Sequence, residues 1–267
     1  MNSAQSFGSM DLSIIIPAYN EEQRLGYTLT RTCEFLAQRP WVSEIIVVDD
    51  GSGDGTTRVA EAFAAALSGE TAERVVCRCR RNPGNRGKGY SVRRGIEEAA
   101  GRVVGFMDAD YKTDIHGLDM VMELLEEWPG VVGDRTLSGT RIEVPRRMYR
   151  DLGSRLFRWL LRLGMGLRDY PDTQCGFKFF RAEVARELFA RQRTDGFMFD
   201  VEILLLAASH QIALARMPVT WSDDPDSRFN LMSGSLRNTL ELLRLYWWHR
   251  RRTRELYAGH RETLSRE

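Results

Sequence analysis

No part of this chain can be read as a membrane span. A bilayer crossing needs about 20 consecutive apolar residues, and no such run occurs in the 267 residues. The first ten residues are polar and lack the apolar stretch of a secretory signal. Cysteine is scarce: Cys33, Cys77, Cys79 and Cys175 are the four, and no C-x-x-C occurs. That pattern argues against a disulfide framework and implies reduced thiols and a cytosolic setting. Charge of one sign is not in excess, since 38 Lys+Arg face 37 Asp+Glu for a net +1. A nucleic-acid partner is therefore not expected. The glycine-rich phosphate cradles G-x-G-x-x-G and G-x-x-x-x-G-K-[ST] are missing, as are internal repeats and low-complexity tracts. What remains is 43% apolar and 28% charged, ordinary for a soluble globular protein, with room for one α/β domain or one domain plus an appendage.

Apolar runs at Leu12–Ile16, Glu44–Val48 and Val103–Met107 read as buried strands, and Arg74–Arg80 alternates like a half-buried one. Helical patterns lie between them, at Glu22–Gln38, Thr56–Leu67 and Tyr90–Ala100. Strands alternating with helices imply right-handed crossovers and a mostly parallel sheet flanked by helices. Further on, helices are expected at His116–Trp128, Arg146–Leu163, Ala182–Arg191, Phe199–Ser209 and Ser233–Arg254. Short strands are expected at Val131–Val132, Leu137–Arg141 and Ile212–Trp221, with another after the Asp169 loop.

Three of these strands hand over to polar loops on one sheet edge, where open α/β sheets bind ligands. After Pro17 comes Tyr19-Asn20-Glu21. After Val48 comes Asp49-Asp50-Gly51-Ser52-Gly53-Asp54-Gly55, whose carboxylates suit a base N–H or ribose hydroxyls and whose glycines permit close approach. After Met107 comes Asp108-Ala109-Asp110, two carboxylates spaced to reach one hard cation, directly or through water. The basic, glycine-rich segment Gly84–Gly89 fits contact with a nucleotide but is equally readable as a surface turn.

Taken in order, Ile16-Pro17-Ala18-Tyr19-Asn20-Glu21-Glu22, VVDDGSGDGT, GNRGKGYSVRRGI and DAD resemble the family-2 glycosyltransferases of GT-A fold. Asp172-Thr173-Gln174-Cys175-Gly176-Phe177-Lys178 is similar to their polyprenyl-phosphate branch, especially its glucosyl members. The resemblance implies an inverting transfer of a sugar, glucose from UDP-glucose first, to a polyprenyl phosphate. It implies that Pro17, Tyr19, Glu21 and Asp49 hold base and ribose, with Lys88 near the base or diphosphate. Asp108 and Asp110 would address a divalent metal, magnesium or manganese, with Asp110 the more direct ligand. Asp172 and Gln174 would organise the acceptor. Arg141, Arg147, Arg150 and Ser154, with Arg146, lie where related enzymes bind the lipid phosphate. Asp200 would be the base for a hydroxyl acceptor; otherwise it reads as a helix N-cap.

Expected boundaries are a flexible N-terminus over 1–10, a GT-A domain over 11–232 and an amphipathic helix and tail over 233–267. Within the domain, the nucleotide half covers about 11–115 and the acceptor half about 116–232. Members of that branch carry membrane anchors. Here Arg146–Leu163 and Leu236–Arg254, with Trp247-Trp248-His249-Arg250-Arg251-Arg252, mix basic and apolar residues as interfacial helices do. Peripheral contact at the cytoplasmic membrane face is expected. Two other readings stay open: the same fold acting on a soluble hydroxyl acceptor, and a nucleotide-sugar-binding protein without turnover.

Overall fold

The computed structural model describes residues 10–142, 165, 167–222 and 240–248. A seven-stranded sheet runs in the order β3-β2-β1-β4-β7-β5-β8. Its centre is built from β1 (Leu12–Ala18), β2 (Ser43–Asp49) and β4 (Val103–Met107), with β3 (Val75–Arg81) outermost. These four pair in parallel, so their carboxyl ends share one edge, as the patterning implies. Every residue of β1 and β2 is buried, which is why both read as unbroken apolar runs rather than alternating ones.

Alternate residues of these strands feed two cores. Ile14 and Ile16 join Leu25, Leu29 and Leu36 of α1 (Leu25–Ala37), Ala60 of α2 (Thr56–Ala66) and Val121 of α5 (Leu118–Glu127). On the other face, Ile15, Ile46 and Val48 meet Val92 and Ile96 of α4 (Lys88–Glu98), Leu188 of α6 (Ala182–Ala190) and most of α7 (Phe199–Ser209). Each fully buried aliphatic side chain contributes about 1.5–3 kcal/mol. α7 is apolar nearly all round because it is wrapped on all sides; nine of its residues are buried.

The second half departs from the simple parallel pattern. β7 (Phe177–Arg181) enters antiparallel between β4 and β5 (Gly130–Gly133), and β8 (Ala215–Met217) pairs parallel to β5. The sheet is thus mixed but mostly parallel. The strand expected over Leu137–Arg141 shortens to β6 (Arg141–Ile142). The reason is local: Asp134 Oδ1 accepts from Thr136 N (2.8 Å) and Thr136 Oγ1 (2.6 Å), turning the chain just before it. Ile212–Trp221 splits at Pro218 into β8 and β9 (Thr220–Trp221), and β9 pairs with β6 instead of the main sheet. A short helix, α3 (Gly69–Arg74), was not anticipated. α4 starts at Lys88, two residues before the expected Tyr90, so Lys88 stands on a helix's first turn. Residues 240–248 are helical. The helix expected over Arg146–Leu163, and the rest of the C-terminal one, lie outside the described residues.

Candidate active site

The first two loops are laced together by the turn chemistry their sequences carry. Asn20 adopts φ 56°, a conformation Asn tolerates. Its Oδ1 accepts from Gly53 N (2.9 Å), and its own N donates to Ser52 Oγ (2.9 Å). Glu21 N donates to Thr56 Oγ1 (2.8 Å), and Gly55 N donates to Glu22 Oε2 (3.1 Å). Asp49 is fully buried and occupied inside its own turn, accepting from Ser52 N (2.8 Å) and from the Thr57 hydroxyl. Pro17 is buried within β1, while the Tyr19 ring is 47% exposed at the mouth of the edge.

Asp50 points the other way. Its Oδ1 accepts from Asn82 Nδ2 (2.7 Å) and Arg86 N (2.9 Å), and its Oδ2 accepts from Gly87 N (2.7 Å). One buried carboxylate therefore shapes the whole basic loop. Gly87 takes φ 111°, and a Cβ there would sit 2.3 Å from the Asp195 carbonyl oxygen, so this close approach requires glycine. The opposing 192–196 loop is held in turn by Glu202, which accepts from Arg193 N (2.9 Å) and Thr194 N (2.7 Å). Burial pushes the Glu202 carboxyl above its ordinary value. Squeezed between these two supports, α4 presents Lys88 Nζ to Asp108 Oδ1 at 2.6 Å. Burial works against that ammonium, but Asp108 first, and then Asp200 and Asp110, raises its pKa well above the usual lysine range.

Asp108 and Asp110 stand at the end of β4. Lys112 Nζ lies 3.2 Å from Asp110 Oδ2, and Tyr111 between them takes φ 52°. Burial, then the charge of Asp108, raises the Asp110 carboxyl. Glu21, held by Arg24 Nε at 2.7 Å, is also raised, by burial and then against the Arg24 charge by Asp110 and Asp108. Three carboxylates, Glu21, Asp108 and Asp110, and three cations, Arg24, Lys88 and Lys112, thus share this corner of the edge. Among the described residues, no three His, Cys, Asp or Glu side chains converge as a protein-only metal site. Two carboxylates nonetheless fit a magnesium-like ion, which takes one or two of them and completes its shell with water and substrate phosphate oxygens.

The DTQCG segment closes the other side. Gly176 packs so tightly on Asp108 that a Cβ would lie 2.1 Å from Oδ2. Asp172 is gripped by Arg135 through Nε–Oδ2 and Nη2–Oδ1, both 2.7 Å, and Arg135 lies over the Trp221 ring at 5.5 Å. Burial opposes the Asp172 charge, but the hydrogen bonds and charge of Arg135 outweigh it and hold the carboxyl below the usual range. Lys178, wholly buried in β7, donates to Thr173 O (3.0 Å), Cys175 O (2.7 Å) and Asp200 Oδ1 (2.5 Å). It therefore folds this segment around Asp108, and Asp200, on the first turn of α7, serves as its counter-ion. Gln174 is exposed on the same segment. Arg141 stands exposed on β6. Arg147, Arg150 and Ser154 lie outside the described residues.

A cavity of about 590 Å³ opens beside Asp110, between Arg24 just before α1, Tyr27 and Arg31 of α1, and the Tyr111–Lys112 turn. This volume is within the range of small-molecule sites. The structure brings Glu21, Lys88, Asp108, Asp110 and the Asp172 loop to one edge, and it turns Asp49 inward. Sequence reasoning missed Lys112 and Arg135 and assigned no role to Lys178. Lys112 has a legible signal, a cation two residues past Asp110. Arg135 has none, because its partner is 37 residues away.

Carboxylates and lysines gathered at the carboxyl edge of a mostly parallel sheet fit a nucleotide-sugar site of the GT-A class. The chain belongs to glycosyl transferase family 2, whose model matches residues 13–189. It is 36% identical to a dolichyl-phosphate beta-glucosyltransferase of Drosophila melanogaster over 238 residues, covering 85% of this chain and 71% of the relative. The fold is similar to glucosyl-3-phosphoglycerate synthase from Mycobacterium tuberculosis in complex with UDP (TM-score 0.64, 18% identity, covering 89% of this chain and 80% of that one). A second structure of that synthase, holding Mn2+, UDP and glucosyl-3-phosphoglycerate, matches with TM-score 0.56 at 23% identity over 86% of this chain and 78% of that one.

Proposed function

We propose that this glycosyltransferase transfers glucose from UDP-glucose to a polyprenyl phosphate, with inversion at the anomeric carbon. The donor and acceptor rest on the likeness to a dolichyl-phosphate beta-glucosyltransferase. The observation that supports the acceptor class is the state of two buried carboxylates, Asp172 and Asp200. Asp172 is committed to Arg135, and Asp200 to Lys178. A sugar hydroxyl needs a free carboxylate to take its proton. A phosphate monoester does not, because its second pKa is about 6 and it is mostly dianionic at neutral pH.

In this mechanism a phosphate oxygen attacks the anomeric carbon, the bond from that carbon to the diphosphate oxygen breaks, and UDP leaves with the bonding electrons. No proton has to move. Pro17, Tyr19, Glu21 and Asp49 frame the base and ribose, with Asp49 acting through its turn. Lys88 steadies Asp108 and lends positive charge on the diphosphate side. Asp172 and Gln174 organise the acceptor loop, Asp172 through Arg135. Asp200 acts through Lys178. Arg141, Arg147, Arg150 and Ser154 meet the acceptor phosphate. Asp108 and Asp110 would hold a magnesium or manganese ion, whose Lewis acidity would neutralise the charge of the leaving diphosphate.

The test offers purified protein radiolabelled UDP-glucose, GDP-mannose or UDP-N-acetylglucosamine, each with a polyprenyl phosphate or a soluble sugar. Glucose in an organic-extractable lipid is the expected product, and label appearing only in water-soluble glycan sinks the acceptor reading. Asp110→Asn is expected to lower turnover by about 10²–10³, as loss of a group stabilising transition-state charge does. Full turnover in this variant removes Asp110 from the site.

A further inference from the structure

Four of the nine large apolar side chains exposed among the described residues cluster in one place: Phe197, Leu240, Leu243 and Trp247. Leu240, Leu243 and Trp247 follow i, i+3, i+7 spacing, which puts them on one face of the helix over 240–248. They are 49%, 48% and 60% exposed, and exposed Arg244 lies among them. The opposite face is fixed to the domain. Leu245 is buried in the second core, and Leu242, Tyr246 and Trp248 pack against it. The Arg193 guanidinium lies over the Trp248 ring at 5.0 Å, and Met198 N donates to Glu241 Oε2 at 3.4 Å. The helix is therefore seated on the loop that carries Phe197, which continues into the 192–196 segment pressed on Gly87 beside Lys88.

We propose that this face is a docking surface for an anionic lipid bilayer, set beside the catalytic edge. The proposal rests on the reading of the acceptor as a lipid phosphate. Such an acceptor keeps its chain in hydrocarbon, so contact with a membrane surface brings enzyme and acceptor together; no described helix is long and apolar enough to cross a membrane. An amphipathic helix binds the headgroup boundary through its apolar face, with basic residues drawn to anionic lipid. Charge decides between a bilayer and a second copy of this chain. Arg244 stands exposed among the apolar residues, and His249-Arg250-Arg251-Arg252 follow in sequence; an anionic surface attracts such cations, whereas a second copy would bring like charge to Arg244's face.

Flotation of the full chain with vesicles of phosphatidylcholine, alone or mixed with phosphatidylglycerol, tests this directly. The chain is expected to float with the anionic vesicles, less so at high salt. Leu243→Asp/Trp247→Asp is expected to lower the bound fraction about tenfold while leaving transfer to a short, water-soluble polyprenyl phosphate unchanged. Leu243→Ala/Trp247→Ala, which threatens folding less, is expected to lose part of the binding. Flotation that persists in both variants overturns the proposal. So does a chain that never floats but forms a dimer that Leu243→Asp/Trp247→Asp dissolves, since the face then joins two copies. Variant-sensitive flotation without transfer to any polyprenyl phosphate supports the surface and sinks the acceptor reading alone.

Discussion

The two halves of the molecule use carboxylates differently. At the nucleotide edge, Asp49, Asp50, Asp54 and Glu22 accept mainly from backbone N–H groups, tying glycine-rich turns to one another. In the second half of the chain, Asp134, Asp172 and Asp200 each face a cation: Arg216 at 2.7 Å, Arg135 at 2.7 Å and Lys178 at 2.5 Å. The difference lies in what remains when one partner is lost. Removing a hydrogen-bonded carboxylate leaves neutral amides short of an acceptor, at about 1–3 kcal/mol. Removing one member of a buried ion pair strands a charge, at about 3–5 kcal/mol. The turns after β1 and β2 are thus tied by many small terms, and the Asp134, Asp172 and Asp200 supports by a few large ones.

Breaking the strongest pair gives the largest effect. Lys178→Met is expected to lower unfolding free energy by about 3–5 kcal/mol, and Lys178→Met/Asp200→Leu to recover much of it, both read from urea denaturation. A single variant as stable as wild type would remove the contrast between the halves.

Next comes Asp172. Its carboxyl is depressed in the folded chain. Its stabilisation is therefore full above the unfolded value of about 3.9 and is lost as pH falls through the folded value. Urea melts across pH should show the gap between wild type and Asp172→Asn widest at neutral pH and closing below about pH 4. A gap that stays constant down to pH 2 argues against the Arg135 pairing.

Asp50→Asn sharpens the other side of the comparison. It keeps one acceptor oxygen for the 82–87 loop and loses the other, so stability should fall by about 1–2 kcal/mol. Because Lys88 rides on that loop, transfer should fall further than stability does, and KM for the donor should rise. Unchanged kinetics with lowered stability would confine Asp50 to a structural role. The smallest effect belongs to the surface: Arg58 is 79% exposed in its pair with Glu22, and Arg58→Ala should cost about 0.5 kcal/mol or less by thermal melting.

The same contrast governs what could be read from the residue order. The parallel core was legible because β1, β2 and β4 are buried on both faces and so appear as apolar runs. The DDGSGDGT turn was legible because part of its bonding is local, from Ser52 N to Asp49 and from Thr56 N to Asp54. Arg135 and Lys178 were not legible as anchors, since an arginine or lysine in sequence carries no mark of a partner 37 or 22 residues away. A carboxylate at a strand's end suits a ligand and a turn equally, and only packing shows that Asp49 accepts from Ser52 N and the Thr57 hydroxyl of its own turn.

Sequence by itself therefore determined the sheet's central strands, their shared carboxyl edge, the acidic loops on it and the family. Periodicity and short-range turn chemistry are properties of neighbouring residues. Only the tertiary structure decided that β7 runs antiparallel through the sheet, that Gly176 closes onto Asp108, and that Lys88 meets the first of the two aspartates after β4. Those choices depend on which distant charges must be neutralised together once water is excluded, a condition that exists only in the folded chain.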